Sequence, residues 1–210
     1  DYTIADERKF RELAYKWAMA WDKKVGNYIS IPRLPLQFSI DAMQDKDAFI
    51  SIATSRIIAD YTDYPAVGVV KHCPPDDFVN FAFREDRLGD PRCKLSPRGN
   101  SLFLLMYLEV QTQHFLGSVA FTRVNDTEAI GNWQVRARHV RKFPDGKTAE
   151  WDSSAYIELC YVLTGGEWKL GGLRPHTVLA TTGSHQEVIG QFKWSSVRHS
   201  NGSGSDGEHA

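Results

Sequence analysis

Residues 112–141, which read TQHFLGSVAFTRVNDTEAIGNWQVRARHVR, predict two antiparallel strands joined by a tight turn. Apolar side chains recur at about every second position on both sides of the polar segment 124–128, as they do on half-buried strands. Asn125 and Asp126 suit the turn because their side chains can hydrogen bond the local backbone. Such a hairpin would bring His114, near the start of one strand, close to His139, near the end of the other.

These two histidines carry the main functional hypothesis that the residues alone support. An imidazole titrates near working pH, so a pair of imidazoles at one end of a sheet favours acid–base catalysis. The alternative is that each histidine is an ordinary surface or partly buried strand residue. We expect no metal site, since no third histidine or cysteine stands at ligand spacing near the pair.

Length and charge are those of an ordinary globular protein, with 210 residues and a net charge of −1. We expect a single domain over residues 1–192 and a disordered tail over residues 193–210, which are polar and rich in Ser and Gly. The charge balance indicates neither a nucleic-acid nor a membrane partner. The longest apolar run, residues 102–108, is too short to span a bilayer.

The cysteines Cys73, Cys93 and Cys160 are scattered, and their number is odd. This distribution favours a reducing setting over a disulfide scaffold, so we expect a cytoplasmic protein.

The first part of the chain predicts helices. Asp22 ends a helix whose apolar face has amphipathic spacing, at Phe10, Leu13, Ala14, Trp17, Ala18 and Trp21. Asp22 is either a solvated helix end or a buried carboxylate that orients a histidine. Residues 25–44 read as a long loop or flap. Residues 45–59 read as a helix that becomes a strand, and Pro75 as the start of a further helix.

Tyr61 and Tyr64 lie where the first predicted strand enters a turn. Each is either a simple sheet aromatic or a hydroxyl that faces a pocket and polarises a carbonyl group.

The second part of the chain predicts a meander of strands after the hairpin. Residues 151–163 form one strand, and residues 168–175 form a final strand that Pro175 stops. Residues 178–192 are expected to be a helix or flap. Helices followed by antiparallel strands predict an α+β fold, with the helices packed on one face of a curved sheet and a cavity between the two layers.

Short motifs spread over residues 10–176 resemble the fungal scytalone dehydratases, which have the NTF2-like (SnoaL-like) cone fold. The matching pieces are Tyr15-Lys16-Trp17-Ala18, Trp21-Asp22, Asp60-Tyr61, Leu88-Gly89-Asp90-Pro91, TQHFLG at 112–117, the strand from Ile130-Gly131 to His139, and WKLGGLRP at 168–175.

The resemblance implies a dehydratase that acts on a hydroxylated aromatic polyketide, such as scytalone, in pigment or melanin biosynthesis. It implies that neither a metal nor an organic cofactor is needed. It also implies a possible homotrimer and a cytoplasmic or endosomal location. His114 would be the main acid/base and His139 its partner. Asp22 would be the carboxylate that orients His139, and Tyr61 would polarise the substrate carbonyl.

Three positions depart from the family pattern and bear on the substrate. Trp21 stands where the family has its first tyrosine, while Ala155 and Ile157 stand where it has a serine and an asparagine. With Trp17 and Tyr64, these residues are expected to bind substrate in a pocket more apolar than the family type. A relative of scytalone is therefore favoured over scytalone itself.

Two further features leave alternatives open. Insertions near residues 25–44 and 93–111 have no family counterpart and could form lids. The same acid/base groups would also serve an isomerase or cyclase, and the lost polar positions would fit a non-catalytic ligand-binding protein of the same fold.

Overall fold

The computed structural model describes residues 2–22, 44–64, 68–82, 110–143 and 145–189. The described helices are α1 (Ile4–Asp22), α2 (Gln44–Ile52), α3 (Pro75–Ala82) and α4 (His185–Ile189). The described strands are β1 (Ala53–Tyr61), β2 (Gly68–Cys73), β3 (Val110–Arg123), β4 (Glu128–Lys142), β5 (Thr148–Thr164) and β6 (Glu167–Gly183).

The strands form one six-stranded sheet in the order β2-β1-β6-β5-β4-β3. Neighbouring strands are antiparallel except β1 and β6, which run parallel. The helices pack against the curved sheet, so the predicted α+β fold is confirmed. The predicted hairpin is also confirmed as β3 and β4, in a register that pairs Thr112 with His139 and His114 with Ala137.

Helix α1 begins at a cap formed by Thr3 and Asp6. The Thr3 hydroxyl accepts a hydrogen bond from the Asp6 N–H at 3.1 Å, and the Asp6 carboxylate accepts one from the Thr3 N–H at 3.0 Å. These reciprocal bonds satisfy backbone donors that a helix start leaves without partners. The Trp168 indole N–H also donates to Asp6 at 2.8 Å, which fixes the amino end of α1 to β6.

The core lies between α1 and the sheet. Phe10 is fully buried and stacks on Tyr161 of β5, with ring centroids 4.5 Å apart and 16° between the planes. Trp168 meets Phe10 edge-on at 4.9 Å. The Trp133 indole donates to the Tyr161 hydroxyl at 3.2 Å, so this buried phenol has a partner.

The carboxyl end of α1 is held against the hairpin. The buried Thr112 hydroxyl on β3 donates to the Trp21 carbonyl at 2.9 Å, which satisfies one of the carbonyls that a helix end leaves open. This bond places Asp22, the last residue of α1, beside β3.

Two expectations for the end of the chain are wrong. Pro175 does not stop β6, which pairs with β5 on both sides of the proline, at Ile157–Pro175 and again at Ser154–Ala180. Proline is tolerated because β1 pairs with β6 only as far as Leu173, so beyond that point no strand among the described residues needs the N–H that Pro175 lacks on this side. Residues 178–183 are therefore strand, which corrects that part of the expected helix or flap, whereas the described residues His185–Ile189 are helix.

Other expectations fall mainly outside the described residues. These are the insertions near 25–44 and 93–111, the tail at 193–210, and Cys93. Within the described part, no disulfide joins Cys73 to Cys160. No helix of that part is both long and apolar enough to cross a bilayer.

Candidate active site

A cavity of about 120 Å³ opens between α1 and the sheet, where β3 and β5 begin and β4 ends. Its wall is mostly aromatic and aliphatic, with contributions from Trp17, Trp21, Phe78, Trp151 and Ile157. A few polar side chains are set into this wall. An apolar cavity with few, convergent polar groups is typical of a small-molecule site.

Asp22 and His114 form a hydrogen-bonded pair at the cavity. The Asp22 carboxylate accepts from His114 Nδ1 at 2.8 Å and also from the His114 backbone N–H at 2.9 and 3.0 Å. The backbone bond is possible because β3 is at an edge of the described sheet, so no described strand pairs with its outward N–H groups. Both side chains are largely buried, which strengthens the pairing.

This hydrogen bond fixes the tautomer of the His114 imidazole. Because a carboxylate only accepts hydrogen bonds, His114 Nδ1 carries the hydrogen. Nε2 is then the ring nitrogen that can take up a proton, with the developing charge stabilised by Asp22. The expectation that Asp22 orients His139 is wrong, since Asp22 hydrogen bonds His114 instead.

His139 lies beside His114, as the hairpin predicted. Their ring centroids are 5.7 Å apart because the two residues are diagonal neighbours on one face of the β3–β4 ladder. His139 is 5% exposed and stacks on Trp151 of β5 at 4.6 Å, with 21° between the planes. The cavity therefore has two imidazoles on one wall, one of which is held by a carboxylate.

Tyr61 and Tyr64 both line the cavity. Tyr61 ends β1, and the Tyr64 N–H donates to its carbonyl at 2.9 Å, so a tight turn brings the two phenols together. Burial raises the pKa of Tyr61 well above its ordinary value, and burial also raises the pKa of Tyr64. A hydrogen bond from Ser153 opposes the rise of the Tyr64 pKa. Both phenols are therefore neutral donors near pH 7.

The two tryptophans of α1 also reach the cavity, as expected. Trp17 is 4% exposed and meets His114 edge-on at 5.2 Å. Its indole N–H has no hydrogen-bond partner among the described residues, so it is a buried donor at the cavity. Trp21 packs edge-on against Phe49 and Phe78, each at 5.8 Å, and so serves the core as well as the cavity.

Alternation along β5 decides which of its side chains face inward. Trp151, Ser153, Ala155 and Ile157 are all buried on the same face. Ile157 lines the cavity as expected, but Ala155 does not, although it shares that face. Ala155 sits where the β5–β6 register shifts, between Ser154 and Tyr156.

The sequence reasoning missed Trp151 and His185, and it did not decide the facing of Ser153. Period-two alternation from Ile157 would have pointed to Ser153 and Trp151. No sequence signal identifies His185, whose place depends on how α4 docks. Within the described ranges, no group of three or more His, Cys, Asp or Glu side chains could hold a metal ion.

The chain is similar in sequence to known proteins of one group. A family model described as scytalone dehydratase matches residues 99–189. The scytalone dehydratase-like protein Arp1 of Metarhizium anisopliae is 37% identical over 120 residues, 55% of this chain and 54% of that protein. Scytalone dehydratase arp1 of Aspergillus fumigatus is 30% identical over 143 residues, 65% of this chain and 72% of that protein. The chain spans 54% to 60% of the length of its Metarhizium relatives.

The fold is shared with solved structures. A candidate scytalone dehydratase from Novosphingobium aromaticivorans matches with a TM-score of 0.54 and 12% identity, covering 89% of this chain and 92% of that one. At this identity the likeness shows the fold alone. It confirms the NTF2-like cone that the sequence resemblance implied.

Proposed function

This chain belongs to the scytalone dehydratase family, and on that premise we propose that it is a lyase that removes water from a hydroxylated aromatic ketone of the polyketide type. The observation that carries the proposal is the Asp22–His114 pair at the wall of an aromatic cavity, next to His139 and Tyr61. A carboxylate-held imidazole is a general base whose geometry is fixed before substrate arrives.

The proposed reaction begins at the carbon next to the substrate carbonyl. His114 Nε2 takes a proton from that carbon, and the C–H electron pair moves toward the carbonyl to form an enolate. The Tyr61 hydroxyl donates a hydrogen bond to the carbonyl oxygen and stabilises the charge that develops there. The raised pKa of Tyr61 suits this role, because the phenol keeps its proton.

The second step breaks the carbon–oxygen bond at the β position. Protonated His139 gives its proton to the departing hydroxyl, which leaves as water while the new carbon–carbon double bond forms. His139 then regains a proton from His114, directly or through solvent. Enolisation of the product makes its ring aromatic, so the elimination is thermodynamically favoured. These steps use only acids and bases of the chain, held in position by its fold.

The departures from the family pattern bear on the substrate. Trp21 offers only an indole N–H where a phenol is expected, so Tyr61 acts without a second tyrosine at that position. Ile157 makes the adjoining wall apolar. We therefore propose that the substrate carries fewer polar groups than scytalone in the part that contacts Trp21 and Ile157.

Mass spectrometry of the purified protein with a panel of 3-hydroxy-1-tetralones, scytalone included, tests the proposal. We expect loss of one water from at least one compound. We expect that loss to disappear in His114→Ala and to persist in Gln113→Ala, a matched control at the exposed neighbouring position. Isotope exchange at the α-carbon without loss of water would contradict the dehydratase proposal and would indicate an isomerase or cyclase.

A non-catalytic binding role is the second candidate. It is favoured by the apolar or donor-only side chains at Trp21, Ala155 and Ile157, where the family resemblance leads one to expect polar ones. Binding of naphthols and tetralones with neither water loss nor α-carbon exchange would establish this role in place of the lyase.

A further inference from the structure

His185 is a third histidine at the cavity, outside the Asp22–His114–His139 group. Its ring meets Trp151 edge-on, with centroids 4.8 Å apart and 89° between the planes. Trp151 in turn stacks on His139, which contacts His114. The rings thus form a row along the cavity wall in the order His114, His139, Trp151 and His185, with the Trp151 indole between His139 and His185.

The position of His185 is set by a docked helix. Gly183 turns the chain at a φ of 79°, where an added Cβ would lie 1.9 Å from the Glu150 carbonyl oxygen, so this position requires glycine. The Ser184 N–H donates to that carbonyl at 2.9 Å. Val188 is 1% exposed in a small cluster with Val110, Ala149 and Trp151, separate from the main core. Arg141 donates to the Val188 carbonyl.

The ring nitrogens of His185 are available to a ligand. Neither has a hydrogen-bond partner among the residues that the structure describes. Burial lowers the pKa of His185, so the ring is neutral near pH 7 and offers one N–H donor and one nitrogen acceptor. A partly buried polar group set in an apolar wall is costly unless something pairs with it. A substrate hydroxyl can donate to the acceptor nitrogen of His185 or accept from its N–H.

We propose that His185 is a specificity-determining residue that hydrogen bonds an oxygen substituent on the part of the substrate remote from the eliminated hydroxyl. This inference rests on the proposed function and deepens it. A molecule that reaches both His114 and His185 must extend past the Trp151 indole, so the new assignment is that His185 pairs with the end of the substrate that does not lose water. His185 does not touch the reacting carbon and is not a catalytic residue.

The test compares two substrates and three forms of the full chain. The substrates are 3-hydroxy-1-tetralone and the same compound with hydroxyl groups on its aromatic ring. We expect wild type to prefer the hydroxylated compound, and His185→Ala to reduce that preference in kcat/KM by about fivefold to tenfold, mainly through KM. His185→Gln, which keeps a donor and an acceptor, should restore part of it. Gln186→Ala, an exposed neighbour on α4, should leave the preference unchanged.

A binding measurement separates failure of this inference from failure of the proposed function. Quenching of tryptophan fluorescence gives the Kd of 1-naphthol and of a naphthol with further ring hydroxyl groups, whether or not the protein turns over either tetralone. If neither tetralone reacts, a preference for the polyhydroxylated naphthol that His185→Ala abolishes still supports the assignment. Equal effects of His185→Ala on both compounds, or no binding of either naphthol, would overturn it.

Discussion

Asp22 occupies a position that is unfavourable for a helix alone. A carboxylate at the carboxyl end of α1 faces the negative end of the helix dipole. Three hydrogen bonds from one partner, His114, offset this cost. The residue therefore contributes both to the junction of α1 with β3 and to the tautomer of the histidine.

Asp22→Asn separates these roles. The amide can still occupy the space, but it no longer stabilises a charged imidazole or enforces the Nδ1–H tautomer. We expect kcat to fall by about 10²-fold or more, because general acid–base catalysis contributes on that scale. Steady-state kinetics check this, with Glu7→Gln, a partly exposed acid on the same helix, as the control. A kcat within twofold of the wild-type value would show that Asp22 does not contribute to catalysis.

Tyr61→Phe tests the carbonyl-polarising phenol. Loss of one donor to a developing oxyanion is expected to lower kcat by about 10²-fold, with little change in fold. Because burial raises the pKa of Tyr61, the phenol stays protonated as pH rises past the ordinary tyrosine range, and wild-type activity should show no alkaline loss from its ionisation. Spectrophotometric titration of wild type and variant should be superimposable below pH about 10. A tyrosinate signal missing from Tyr61→Phe in that range would contradict the assignment.

For individual residues, the sequence predicted which side chains lie at the site better than it predicted which of them contact one another. The hairpin pattern brought His114 and His139 together, because strand alternation and turn chemistry are local properties. It could not decide which histidine Asp22 holds, since that depends on where the end of α1 meets the edge of β3. The position of His185 at the cavity could not be predicted from the sequence, because it depends on the docking of a five-residue helix.

Among the helices and strands, the long strands agree with the sequence prediction, whereas residues 175–183 of β6 do not. The segments that became β3, β4 and β5 have apolar periodicity over many residues, which local pattern reasoning reads well. The sequence predicts a strand end at Pro175 because proline lacks an N–H. Its tolerance depends on β1 ending beside Leu173, which is tertiary information.

Helix α4 should make stability depend on pH through His185. Burial lowers the folded-state pKa of His185 below its unfolded value of about 6.5. Between those two values the unfolded chain binds more protons, so the free energy of unfolding falls as pH drops below about 6.5. His185→Gln should lack this part of the pH dependence. Urea unfolding at several pH values between 5 and 7.5 measures the difference, and parallel curves for both proteins would refute it.

For the molecule as a whole, the cavity exists because α1 packs on the sheet. Phe10 joins the two layers through its contacts with Tyr161 and Trp168, whereas Tyr15 on the same helix is 61% exposed. Phe10→Ala should lower the free energy of unfolding by about 3–5 kcal/mol, and Tyr15→Ala should change it by less than about 0.5 kcal/mol. Denaturant unfolding followed by circular dichroism measures both. Equal effects would mean that the core is not organised around Phe10.

The overall architecture was predictable because most helical segments lie in the first part of the chain and the long antiparallel strands lie in the second. An α+β layering is the simplest way to bury their apolar faces. The parallel β1–β6 pair was not predicted, since it joins segments more than a hundred residues apart. The homotrimer implied by the family resemblance stays a prediction, which light scattering of the purified chain would test.

The central claim is that His114, held by Asp22, removes the proton next to the substrate carbonyl. The most direct measurement is the rate at which recovered substrate gains deuterium at that carbon in heavy water, with a hydroxylated 3-hydroxy-1-tetralone. Wild type and Gln113→Ala should exchange and dehydrate at similar rates, and His114→Gln should lose both by about 10²-fold or more. Exchange by His114→Gln at the wild-type rate would contradict the account, because the proton would then leave to another base.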